Sequence, residues 1–139
     1  MAEESERYFE QYKLAVEMAD RVSARRGAAN TFFITASAAL VTAVGSDKIA
    51  DSAGVAGLAL AAGWWLVLRS YRDLNRAKWQ VINKMEKTLP AKPFSDEWAS
   101  LKKDPVSKWR PRYAELSTVE RAAPVAFAIL FVLGLVGVL

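Results

Sequence analysis

The chain has 139 residues, carries 19 Lys and Arg against 15 Asp and Glu for a net charge of +4, and is 53% hydrophobic. It contains no Cys and no His, which excludes disulfides, thiolate nucleophiles, Cys/His zinc sites and a histidine base or pH switch. The apolar residues gather into three charge-free blocks, so the class expected is an all-α membrane protein with three transmembrane helices and helical cytoplasmic extensions.

Residues 1–26 read as a cytoplasmic amphipathic helix. The start, MAEESERYFEQYK, is acidic and polar where a cleavable leader needs a basic stretch followed by an apolar run, so no leader is expected. Phe9, Tyr12, Val16, Ala19 and Val22 recur at steps of three and four, on one face opposite Glu10, Glu17, Asp20 and Arg21. No Pro or Gly intervenes before Gly27, so the helix is expected to run on into the first span, with Gly27 as a place to bend.

The first span, 27–45, has 19 uncharged residues, close to the roughly 20 that cross about 30 Å of hydrocarbon. Thr31, Thr35, Ala38, Thr42 and Ser46 share one face. Such a stripe belongs against protein or water rather than acyl chains. Several copies with this face inward, and Asn30 at the cytoplasmic end, would line a pore; the same small side chains would equally serve close helix packing. Arg25 and Arg26 would ring the cytoplasmic mouth of such a pore or anchor the helix at the interface.

An extracytoplasmic hairpin follows at 46–52, and a second span at 53–68. That span has only 16 residues, and its tandem Trp64-Trp65 lies one turn before Arg69, in the manner of an aromatic belt. Ala53, Gly57 and Ala61 form a small-xxx-small row suited to helix packing. No span contains Asp, Glu, Lys or Arg, so no proton relay, substrate counter-ion or voltage sensor is expected.

Residues 69–121 form the second cytoplasmic part. Tyr71, Leu74, Val81, Ile82, Met85 and Leu89 predict a helix continuing to Pro90. Pro90, Pro93, Pro105 and Pro111 then make the chain turn-rich, with a short helix expected from Ser95 as N-cap, through Asp96 and Glu97, to Leu101. This part holds thirteen basic and seven acidic residues. Lys102, Lys103, Lys108, Trp109, Arg110 and Arg112 are the residues expected to hold a nucleotide or single-stranded oligonucleotide, with Trp79, Trp98 and Tyr113 also able to stack on bases. The other reading is contact with anionic lipid headgroups. Asp96 and Glu97 have a capping role, and Glu115 and Glu120 have no partner constellation. With no Walker loop, GxGxxG or paired carboxylates, no catalytic residue, metal or cofactor is expected and the chain is not read as an enzyme.

The third span, 122–139, is the most apolar and carries Pro124 near its first turn, where a missing N–H does little harm. It reads as an anchor in lipid. Lys and Arg number five in residues 1–26, one in the hairpin and thirteen in 69–121. By the positive-inside rule the N-terminus and the 69–121 segment are cytoplasmic and the C-terminus is outside.

The segments EQYKLAVEMADRVSARRGAANTFF, running into a span, and RSYRDLNRAKWQVINKMEKTLP, leaving one, resemble the SLATT family of small bacterial membrane effectors in anti-phage conflict systems. Within that group the chain is similar to the channel subunit of Hailong-type defence. The resemblance covers roughly residues 9–90 and lies in a pattern along helices; the hydrophobic segment at 122–139 is additional to the usual two spans. It implies a multi-pass protein of the bacterial inner membrane, a homo-oligomer of four copies, and a pore toxic when open. It also implies control by a nucleotide signal made by a partner nucleotidyltransferase. The function expected is thus a homo-oligomeric channel effector of abortive infection; the alternative is a non-conducting, membrane-anchored interaction or sensor module.

Overall fold

The computed structural model describes residues 2–44, 50–103 and 116–138, with side chains described over 3–44, 51–100 and 120–138. Four helices follow in chain order: α1, Ala2–Val44; α2, Ala50–Glu86; α3, Pro93–Lys103; and α4, Leu116–Leu135. The described residues contain no strand. α1 and α2 are long and apolar enough, over Glu3–Val44 and Asp51–Glu86, to cross a membrane. Both exceed the roughly 20 residues a bilayer needs, because each continues into a charged, amphipathic stretch. α1 passes through Gly27 as unbroken helix.

Two compact units divide the chain, one from residues 1–23 and 73–115, the other from 24–72 and 116–139. In the second, apolar unit, Val44, Ala53 and Phe131 form a core joined by Leu40, Leu58 and Phe127. Phe131 is fully buried, so α4 is an integral third member of this bundle and not merely a lipid anchor. Lipid tails are as apolar as Phe, so the gain here comes from tight packing rather than from escape from water. Glycines supply the room: a methyl added at Gly57 would overlap the Phe131 ring, one at Gly54 the Leu135 side chain, and one at Gly134 the Val44 side chain. Ala53, Gly57 and Ala61 are all buried, whereas Ala56 and Ala59 are exposed. α4 accommodates Pro124 inside the helix, fully buried. It closes with Gly137 at φ +71°, where Gly137 N–H donates to Gly134 O and Val138 N–H to Leu133 O at 3.1 and 3.0 Å. This is a Schellman cap, which satisfies carbonyls that lipid cannot.

The first, charged unit is built on Tyr12, Ala19 and Ile82, with Ala15, Val16, Trp79, Met85, Leu89 and Phe94 around them. The apolar face expected on α2 is narrower than its sequence spacing suggests. Ile82 is buried and Met85 and Leu89 join the core, but Leu74 and Val81 are 46% and 55% exposed. Each residue advances about 100° around a helix, so Val81 cannot share its neighbour Ile82's side. Phe9 is likewise 45% exposed, with the Lys13 ammonium 4.7 Å from its ring centre.

α2 ends at Glu86, before the expected Pro90. Thr88 N–H donates to Met85 O and Leu89 N–H to Glu86 O at 3.2 and 3.1 Å, while the Thr88 hydroxyl donates to Met85 O at 2.9 Å. These bonds to the third residue back tighten the chain into a turn, as Pro90 disfavours helix in the residue before it. α3 begins three residues earlier than Ser95 as N-cap implies: Asp96 N–H donates to Lys92 O at 2.9 Å, placing Pro93 at the first helical position and Ser95 at the third. Proline suits that first position because its absent N–H would have had no helical partner.

Candidate functional site

In the apolar unit, Thr31, Thr35, Ala38 and Thr42 are all exposed along one side of α1. Each threonine hydroxyl donates its single proton back to its own helix: Thr31 to Gly27 O at 3.2 Å, Thr35 to Thr31 O at 3.0 Å, Thr42 to Ala39 O at 2.7 Å. The oxygen lone pairs are left over, so this side of α1 presents acceptors and no hydroxyl donors. Ser46 lies outside the described residues.

Asn30 is half-buried instead, and its Oδ1 accepts from Trp64 Nε1 at 2.9 Å. Trp64 is fully buried. It lies parallel to Phe33 at 5.8 Å between ring centres and near Phe127 at 6.0 Å. A buried indole N–H needs an acceptor, and Asn30 is the one this bundle provides. Of the tandem tryptophans, Trp65 is the outward member, at 39% exposed, while Trp64 is turned into the bundle.

Arg25 is exposed, but Arg26 pairs with Glu120 at 3.5 Å, both side chains about 15% exposed. Arg26 thus ties α1 to the start of α4. Ser37, fully buried in the same unit, has a hydroxyl without a hydrogen-bond partner.

In the charged unit, four hydrogen bonds converge on one carboxylate. Glu86, fully buried, accepts from the Tyr12 hydroxyl at 3.0 Å, from Phe94 N–H and Ser95 N–H at 3.0 Å each, and from the Ser95 hydroxyl at 2.5 Å. The two backbone donors belong to the first turn of α3, where helical N–H groups lack helical partners. Glu86 therefore performs the capping that Lys92, the residue before Pro93, has no acceptor to perform. Tyr8 adds a bond from its hydroxyl to Met85 O at 3.0 Å. Burial by itself pushes the Glu86 carboxyl up, but the Ser95 hydroxyl, Phe94 N–H, Tyr12 hydroxyl and Ser95 N–H together hold it below the ordinary carboxylate range. Tyr12 is pushed up to about 12, by burial first and then by the Glu86 carboxylate.

Lys102 and Lys103 fall in the last turn of α3, with side chains outside the described set; Lys108, Trp109, Arg110, Arg112 and Tyr113 lie outside the described residues. Trp79 is partly buried against the core, edge-on to Phe94 at 5.0 Å, whereas Trp98 is 45% exposed.

Sequence reasoning missed the roles of Glu86 and Glu120. A signal for Glu86 exists: a helix opening Lys-Pro, without Ser, Thr, Asp or Asn at the cap, requires an acceptor from elsewhere. Glu120 offers no such signal, since its partner is 94 residues away.

Two long apolar helices closed by a third through glycine contacts, with acceptors turned outward from the bundle, define an all-helical membrane protein. The chain belongs to the Octameric membrane protein family (8xMP), whose family model matches residues 9–139. Membership makes it a self-associating protein located in a membrane. The match is to this family and not to SLATT. No curated protein and no solved structure matches the chain.

Proposed function

We propose that the chain assembles into a ring of eight copies in the bacterial inner membrane and that the ring encloses an ion-conducting path lined by the Thr31, Thr35, Ala38 and Thr42 side of α1. Eight follows the family's name in place of the four that the SLATT resemblance implies. α4 serves as the third span, with the N-terminus cytoplasmic and the C-terminus outside, as the distribution of Lys and Arg favours.

The observation that carries the reading is the outward threonine side. Threonines turned away from the bundle must meet lipid, another copy or water. Their spare lone pairs suit water and cations, which pores coordinate through oxygen. The chain acts without catalysis. The toxic anti-phage role, and control by a nucleotide or oligonucleotide acting on Lys102, Lys103, Lys108, Trp109, Arg110 and Arg112, rest on the SLATT resemblance and the basic sequence.

Purified protein in planar bilayers is expected to pass current, and Thr35→Leu or Thr42→Leu to change its conductance. Assembled protein that passes no ions would return the chain to the non-conducting module. Current unchanged by both substitutions would move the conduit elsewhere.

A further inference from the structure

In the apolar unit, lipid accounts for exposed hydrophobic side chains, but the charged unit is built from segments outside the three apolar blocks of the sequence, where lipid does not account for them. There Leu14, Met18, Leu74 and Val81 are 55%, 45%, 46% and 55% exposed, two on α1 and two on α2. Exposed apolar side chains grouped outside the apolar blocks of an oligomeric protein mark a contact surface.

We propose that copies of this chain join head to tail through this unit, the outer side of α1 at Leu14 and Met18 packing on the outer side of α2 at Val81 of the next copy. Three observations choose a second copy as the occupant. The first is charge. α1 over residues 2–23 carries six acids against Arg7, Lys13 and Arg21, whereas α2 and its turn over 73–89 carry Arg76, Lys78, Lys84 and Lys87 against Asp73 and the buried Glu86. Exposed Glu10 and Glu17, each bonded to a basic residue of its own helix (Lys13 and Arg21), border the α1 patch, and exposed Lys84 lies one turn from Val81 on α2. One edge of the unit is acidic and the other basic, which suits two different edges meeting and opposes either edge meeting itself.

The second is level. Tyr12 and Glu86 face each other across the pair at 3.0 Å. Leu14 and Met18 lie two and six residues from Tyr12, hence about 3 and 9 Å along the axis, and Val81 lies five residues from Glu86, about 7.5 Å the same way. Rotation about an axis parallel to the helices keeps levels unchanged, so Val81 of one copy meets the gap between Leu14 and Met18 of the next. Glu10 and Lys87 are matched likewise, on the other side of the Tyr12 level. The third is closure: a ring of more than two copies needs two unlike patches on every protomer, and this unit has two.

The proposal rests on the self-assembly of the preceding section but not on conduction. The absence of native cysteine allows a direct test on the full chain in membranes, in which Met18→Cys and Val81→Cys chains are oxidised singly and after co-expression. Covalent dimers are expected from the mixture and not from either chain alone. Dimers from a single variant would show a like-with-like contact and overturn the proposal, as would no dimer from the mixture while the protein still assembles. In parallel, Glu17→Lys is expected to lower the assembled fraction in mild detergent, and Glu17→Lys with Lys84→Glu to restore it. No recovery in the double variant, with helix content intact, counts against the charge pairing. Wild-type protein that is monomeric in membranes would overturn both this contact and the ring.

Discussion

At the scale of single residues, Glu86 concentrates the polar energetics of the charged unit. Its carboxylate satisfies two helix-start N–H groups and two hydroxyls, so removing it leaves several buried donors without acceptors. Glu86→Ala is expected to destabilise the unit by about 3 kcal/mol, seen as earlier loss of helix on heating and faster proteolysis after residue 86. Because its pKa is lowered on folding, the stabilisation from Glu86 is complete above the ordinary value of 4.5 and is lost as pH falls through the depressed one. Glu86→Gln is expected to flatten that acid limb in a pH series of thermal melts. Tyr12 has the opposite sign: its raised pKa means a contribution complete below 10 and lost as pH rises through about 12. Ser37 is a residue-scale liability, a buried hydroxyl without a partner. Ser37→Ala should raise stability by about 1 kcal/mol, and a lower melting temperature in detergent would show that the hydroxyl has an acceptor.

At the scale of elements, the apolar unit depends on how closely α4 approaches α2. Alanine is the better helix former by about 1 kcal/mol, yet at Gly57 the added methyl meets a fully buried Phe131 ring that has nowhere to move. Overpacking of this kind costs about 1–3 kcal/mol, so Gly57→Ala is expected to destabilise, and Gly57→Ala with Phe131→Leu to recover part of the loss. Gly63, where an added methyl meets nothing, is the matched control: Gly63→Ala should be neutral or stabilising by the propensity term alone. The Arg26–Glu120 pair fastens the other end of α4. Breaking a largely buried pair strands a charge, so Glu120→Ala should cost more in thermal melts than Glu97→Ala, which removes an exposed carboxylate.

At the scale of the whole molecule, copy number sets what a pore would admit. Helices pack with axes about 10 Å apart. Eight α1 helices on a circle would have their axes about 13 Å from its centre, and a helix radius of about 5 Å leaves a lumen about 8 Å in radius. Four copies would leave about 2 Å by the same construction. Liposomes carrying the open protein are therefore expected to release a small fluorescent dye as well as potassium. Potassium loss with full retention of the dye would overturn an eightfold inner ring of α1.

The sequence by itself determined the helical class, the two long apolar helices and the shared face of Thr31, Thr35, Ala38 and Thr42, because helix periodicity and hydropathy are local properties of the chain; that this face turns away from the bundle was decided by the fold. The small residues Ala53, Gly57 and Ala61 were legible as a packing row for the same reason. Only the tertiary structure decided that Asn30 serves Trp64, that Arg26 serves Glu120, and that Glu86 starts a helix seven residues later. It also turned Leu74 and Val81 outward. Each of those outcomes depends on which partner arrives across a distance in the chain, and a buried indole, guanidinium or carboxylate is committed by the neighbours that folding brings to it.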